Sequence, residues 1–162
     1  MTKSLLLTAI MFWLVGCSSQ SEIELLFEEL PKEGWQQEQW VEFSYTNRLP
    51  KKEVALNWIL RHDDSYPYAN IHFITEWINP KGLQDTDTLS YLLAEPNGRW
   101  LGKGLYIKEQ NLPFLERFLL DEPGTYRFRV RPAVRATEKL VADKTLGGIH
   151  QIGIALNPIL NE

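Results

Sequence analysis

The sequence predicts an all-β fold, an antiparallel sandwich of jelly-roll or immunoglobulin-like type with about 8–9 strands. Three observations carry this. Apolar residues recur with period two along almost the whole chain. Turn-forming Asn, Asp, Gly and Pro punctuate the runs at short intervals. Runs of helical period are missing, apart from a possible turn near Arg135 to Leu140. A closed barrel is the structural alternative.

In chain order, Ile23, Leu25 and Phe27 alternate with Glu22, Glu24 and Glu28, with Leu26 breaking the polar side. Val41, Phe43 and Tyr45 share a face, as do Val54, Leu56, Trp58 and Leu60. Ile71, Phe73, Thr75 and Trp77 follow, then Leu89, Tyr91 and Leu93. Phe114, Phe118 and Leu120 fall in phase with Glu116, which puts one carboxylate on an apolar face. Tyr126, Phe128 and Val130 alternate with Arg127, Arg129 and Arg131, and Ile152, Ile154 and Leu156 close the series. Half-buried antiparallel strands require this pattern of apolar-in, polar-out. The separators are Arg48-Leu49-Pro50, Asp63 to Pro67, Asn79 to Gly82, Pro96-Asn97-Gly98 and Glu122-Pro123-Gly124.

Residues 1–16 stand apart. Lys3 is their only charge, and Leu5 to Val15 is nearly all apolar, the form of a secretory signal and too short to span a bilayer. Leu14-Val15-Gly16-Cys17 resembles the lipobox of bacterial lipoproteins, in which the cysteine thiol receives diacylglycerol and the new amino terminus is usually acylated. Two or more acyl chains hold firmly where one holds marginally. Cys17, the single cysteine, is therefore the expected lipidation site, with no other cofactor, and no disulfide can form within the chain. The organisation expected is a signal peptide over 1–16, the lipidated cysteine and short linker over 17–21, and one sandwich domain over 22–162. Ser18 to Glu22 reaches at most about 17 Å, so the domain stays near the bilayer.

The chain has 162 residues, with 17 basic and 21 acidic side chains; loss of Lys3 with the signal takes the formal charge from −4 to −5. A mildly acidic, exported domain is a poor nucleic-acid binder, and none is expected as a partner. Signatures of nucleophilic, zinc-dependent or phosphate-cradling chemistry are absent, and Gly102-Lys103-Gly104 is too short for a phosphate loop. His62-Asp63-Asp64 reads as a turn rather than a metal site, and Asp85 and Asp87 read as a strand start rather than calcium ligands. The expectation is a protein that is not an enzyme, binds no metal and takes no small-molecule substrate.

Among the tryptophans of the domain, Trp58 and Trp77 fall in phase with core residues, whereas Trp35, Trp40 and Trp100 are surface candidates. Arg127, Arg129 and Arg131 share one sheet face, with Arg135 close behind: either a solvated face that guards an edge strand, or a docking stripe for an acidic partner or for lipid phosphates.

The landmarks Tyr66-Pro67-Tyr68-Ala69-Asn70, Pro80-Lys81-Gly82, Asp87 to Ala94, Asn97 to Gly104, Gly124 to Phe128, Ala133-Val134-Arg135, Leu146 to Ile149 and Ile152-Gly153-Ile154 together resemble the gliding-motility lipoprotein GldH family of Bacteroidota. The resemblance covers about Glu22 to Asn157. Pro132 departs from it and would interrupt a ladder, and Thr137 to Leu146 is longer than the pattern. What the resemblance implies is a lipoprotein of the cell envelope, linked to gliding and to type IX secretion, with no catalytic step. Its partners would be the membrane, through the lipid anchor, and other gliding or secretion envelope proteins. The outer membrane is the expected location, since Ser18 and Ser19 are not the aspartate of inner-membrane retention. Tyr66, Tyr68, Asn70, Trp100 and Gly102 are expected to form a tip that either contacts a partner or braces the sandwich end, and Arg127, Arg129, Arg131 and Arg135 are further contact candidates. Two alternatives stay open: a lipid-anchored glycan-binding sandwich and an envelope hydrolase.

Overall fold

A computed structural model describes residues 23–133 and 144–159. The signal segment, Cys17 and its linker, Arg135 and the possible turn over Arg135 to Leu140 lie outside the described residues. Among the described residues there are ten strands: β1 (Glu24–Glu29), β2 (Trp35–Gln36), β3 (Val41–Asn47), β4 (Lys52–His62), β5 (Asn70–Ile78), β6 (Gln84–Leu92), β7 (Lys108–Leu120), β8 (Gly124–Pro132), β9 (Thr145–Leu146) and β10 (Ile149–Pro158). Eight are the predicted runs. The two extra ones, β2 and β9, are two-residue strands that pair only with each other, too short to leave a periodic trace.

The long strands form two four-stranded antiparallel sheets, ordered β1-β10-β4-β7 and β3-β8-β5-β6. Counted along the chain, the eight long strands read 1-8-3-6 and 2-7-4-5, the interleaved order of a jelly roll. This resolves the choice against an immunoglobulin-like order and against a closed barrel. The order also sorts the connections. Residues 30–40, 63–69 and 93–107 and the described part of 133–148 gather at one end, tied by the Trp35–Leu146 pairing and by the Asp63 N–H donating to the Gly148 carbonyl at 2.9 Å. Gly148, at φ +79°, passes so close to the Tyr66 backbone that no Cβ would fit. The short turns 48–51, 79–83 and 121–123 form the other end, fastened by the buried Asn47 amide, which donates to the carbonyls of Leu49 (2.6 Å) and Glu122 (2.9 Å). Glu24 lies at this short-turn end, beside Asn47, Leu49 and Lys52.

The core lies between the sheets. Trp58, on the central strand β4, stacks on Phe114 at 5.0 Å and meets Phe43 at 6.1 Å. Burying such a side chain contributes up to about 3 kcal/mol.

Four expectations are corrected. Trp35 is fully buried, a core residue rather than a surface candidate, with its indole N–H donating to the Gln39 carbonyl at 3.0 Å. Glu116 does not share the face of Phe114, because register shifts between β4 and β7 insert residues on β7 and turn Glu116 to solvent. Strand β8 is interior, between β3 and β5, so its arginines guard no edge; Pro132 ends the ladder opposite Phe73 instead of interrupting it. Finally, β1 sits the other way up. Leu26 packs on the core, while Leu25 and Phe27 face outward, Phe27 lying over Gly153, whose missing side chain makes the room. As an edge strand, β1 lets its inward-facing glutamates reach water, so the helical-free alternation of apolar and acidic residues did not dictate its facing.

Candidate functional site

The loop end does bring Tyr66, Tyr68, Asn70 and Trp100 together. Tyr66 is 3% exposed, so it braces the sandwich end and offers almost no contact area. Its hydroxyl donates to the Asn70 carbonyl at 2.9 Å, and its ring meets those of His62 (5.7 Å), Tyr68 (5.8 Å) and Trp100 (6.5 Å). Tyr68 and Trp100 are half-buried against the core. Gly102 lies against the Lys108 side chain and the Glu109 carbonyl, where a Cβ would crowd both.

His62 ends β4 inside this cluster, fully buried and edge-on to Trp100 at 4.6 Å. Burial pushes its pKa down, so the ring is neutral. Nδ1 lies 3.1 Å from the Asp63 carbonyl, the position of a donor, and Nε2 has no partner among the described residues. Asp63 turns outward instead. It accepts from the Ser65 N–H (2.8 Å), the Ser65 hydroxyl (2.5 Å) and His150 Nε2 (2.7 Å). Burial alone would raise its pKa, but the hydrogen bonds from Ser65 and His150 hold it at about 2. His62 and Asp63 thus point apart. Asp85 and Asp87, in the first half of β6, each accept from the next backbone N–H, at 2.9 and 2.7 Å.

The arginine stripe lies on the outward face of the β3-β8-β5-β6 sheet, and each member meets an acid. Arg127 is 3.9 Å from Glu42 and Arg131 is 3.7 Å from Glu38. Arg129 pairs with Glu76, its Nε at 2.6 Å, and Glu76 is only 6% exposed. Trp40, 36% exposed, lies under both Arg129 (4.9 Å to the ring centre) and Arg131 (5.2 Å). The stripe is therefore a knitted plate of indole, guanidinium and carboxylate groups, with its charge balanced locally rather than left as a free basic strip.

One feature escaped the sequence reading. Residues 103–109 form a tight hairpin against the free edge of β7, with Lys103 and Glu109 exchanging backbone hydrogen bonds at 2.8 Å. Gly104, at φ +131°, lets the Ile107 carbonyl approach where a Cβ would stand. Lys108 Nζ donates to the Leu105 carbonyl at 2.5 Å and lies 3.3 Å from Asp64. The tip so fixed exposes Leu105 (78%), Tyr106 (80%) and Ile107, with Leu101 exposed nearby. The signal was an apolar triplet between Gly104 and Lys108 that fits no strand face.

The GldH lipoprotein family profile matches residues 24–156, from the start of β1 to two residues short of the end of β10. The chain belongs to the GldH lipoprotein family. A gliding motility lipoprotein GldH of Flavobacterium johnsoniae is 30% identical over 155 residues, covering 94% of this chain and 92% of its own length. A gliding motility lipoprotein GldH homolog of Christiangramia forsetii is 32% identical over 123 residues, covering 75% of this chain and 76% of its own. The VP2 subviral particle of infectious bursal disease virus superposes loosely, with TM-score 0.41 and 11% identity, over 88% of this chain and 34% of the VP2 chain. Family membership makes the chain a gliding-motility-type lipoprotein, and an envelope location anchored to a membrane goes with it.

Proposed function

We propose that this chain is a non-catalytic accessory or assembly component of the gliding-motility and type IX secretion machinery. Acyl chains on Cys17 hold it in the outer membrane, and it works by touching envelope proteins. The observation that carries the reading is the family match, which spans the entire folded domain and joins it to proteins named for gliding.

The plate around Trp40 is the contact surface that this reading favours. Tryptophan and arginine dominate binding hot spots when their rotamers are held in advance. Trp40 is held by two guanidinium groups, and Arg129 by Glu76. Because the arginines lie over the indole, at least one of its faces is already occupied, which counts against stacking on a sugar ring. Tyr68 and Trp100 contribute as a rim at the loop end, while Tyr66 leaves the contact set.

The test is capture of envelope partners by the lipidated protein, with and without Trp40→Ala. Loss of the captured protein at an unchanged melting temperature supports the proposal. Retained capture, or sugar-dependent quenching of Trp40 fluorescence, overturns it.

A further inference from the structure

We infer that the 104–107 tip is a second membrane contact, seating the jelly roll lengthwise on the bilayer with the outward face of the β1-β10-β4-β7 sheet down. This goes beyond the proposed function, though it rests on the lipid at Cys17.

Exposed apolar residues stand at both ends of that face. On the short-turn side are Ile23 (63% exposed), just before β1, and Leu25 (49%), on the edge strand whose start leads toward the anchor. Leu25 and Phe27 face outward because β1 is inverted relative to its sequence pattern. At the loop end are Leu105, Tyr106 and Ile107. Ile107 shares an open hollow with Lys103, Arg61, Glu109 and Gln151, and the last three project from the outward face of this same sheet. Leu25 stands opposite Ala155, and so level with Asn57, while Lys108 stands opposite His62. The two apolar ends are thus separated by five residues of β4, roughly 17 Å, plus the reach of the tip.

Charged groups that β4 and β7 put on this face pair with one another. Arg61 bonds Glu109 at 2.7 Å and Gln151 at 2.6 Å and lies 4.0 Å from the Phe27 ring, and Arg117 bonds Glu53 at 2.7 Å on the short-turn side of Leu25. Paired charges limit the desolvation penalty of approaching lipid headgroups. Lys103 lies beside the apolar tip, the place where a lysine can keep its ammonium among phosphates while its stem follows the apolar side chains.

The occupant is a lipid surface because of where the chain leaves the fold. Cys17 precedes Ile23 by six residues, at most about 21 Å of chain. The bilayer is therefore already next to the short-turn end of this face. Firm anchoring needs only the acyl chains; a second apolar contact at the far end adds orientation. It would leave the Trp40 plate, on the opposite sheet, turned away from the membrane.

Cys17 is the only cysteine, and acylation blocks its thiol, so one introduced cysteine can be labelled alone. The experiment uses the full mature lipoprotein, reconstituted in phosphatidylethanolamine–phosphatidylglycerol vesicles. An environment-sensitive dye is placed by Tyr106→Cys or, on the opposite sheet, by Thr88→Cys. The expected result is a blue shift at 106, quenching by spin-labelled lipid and protection from aqueous iodide, with the reverse at 88. Leu105→Ser with Ile107→Ser should abolish the lipid quenching at 106 while the protein still floats with the vesicles. Flotation with the 106 label open to iodide overturns the inference alone. Protection at 106 that appears only in native envelopes, or only at high protein density, assigns the tip to another protein or a second copy and also overturns it. Failure to float, with no acyl mass on Cys17, overturns the anchor and this inference together.

Discussion

The two outward faces of the jelly roll differ in how their side chains are satisfied. On the β3-β8-β5-β6 sheet, polar groups bond one another across neighbouring strands: Glu42, Arg129 and Glu76 sit side by side in register, and His72 lies between Asn70 and Ser90. On the β1-β10-β4-β7 sheet, the pairs Arg61–Glu109 and Arg117–Glu53 lie toward opposite ends of β4, and exposed apolar residues stand beside them. Both faces grow from the same core, so the difference reports on what each face meets. A self-satisfied polar plate is stable in water and can offer a rigid surface to a protein. Exposed apolar ends are at a disadvantage in water and gain by leaving it.

The largest effect should come from Trp58→Ala, which empties the layer the two faces share. A loss of about 3–5 kcal/mol is expected, read by chemical denaturation, with signals from both faces lost in one transition. Two separate transitions would show that the faces do not depend on one core. Next is Glu76→Ala. Arg129 would lose its nearly buried partner, at a cost of about 1–2 kcal/mol once the partial exposure of Arg129 is allowed for. Trp40 fluorescence should change as well, because Arg129 rests on its ring.

The pH dependence sharpens the difference at the loop end. His62 has a folded pKa below its ordinary 6.5, so the unfolded chain binds more protons there and stability rises with pH. Its contribution is complete above about pH 6.5 and is lost as the pH falls below that value. The Asp63 contribution is complete above its ordinary 3.8 and is lost between there and about 2. The melting temperature should therefore fall in two stages on acidification. His62→Phe should remove the upper stage and leave the lower, and an unchanged upper stage would assign it elsewhere.

The smallest effect on stability should come from Leu105→Ser with Tyr106→Ser, within about 0.5 kcal/mol by denaturation. The tip touches little of the core. A larger loss would mean that these side chains serve the fold and would weaken the contrast between the faces.

The eight long strands were legible because their inner faces are apolar at period two. Trp58 and Trp77 were placed by the same rule. Trp35 was not, since its strand is two residues long and its burial depends on Leu146, more than a hundred residues away. Tyr66, Tyr68, Asn70 and Trp100 lie together in the fold, yet their split into a buried brace and half-buried rim depends on how closely Gly148 approaches Tyr66. The arginine stripe was visible as a stripe. Its neutralisation was not, because Glu42, Glu76 and Glu38 come from other parts of the chain.

By itself the sequence determined the β class, the eight principal strands, the expectation of a lipid at Cys17 and the resemblance to the family. Each is local, either a short-range period or a contiguous motif. The tertiary structure alone decided the jelly-roll order, the inversion of β1, the balancing of the arginines and the gathering of the long loops at one end. These depend on which strands become neighbours, and cross-strand contacts form between residues that no sequence window contains.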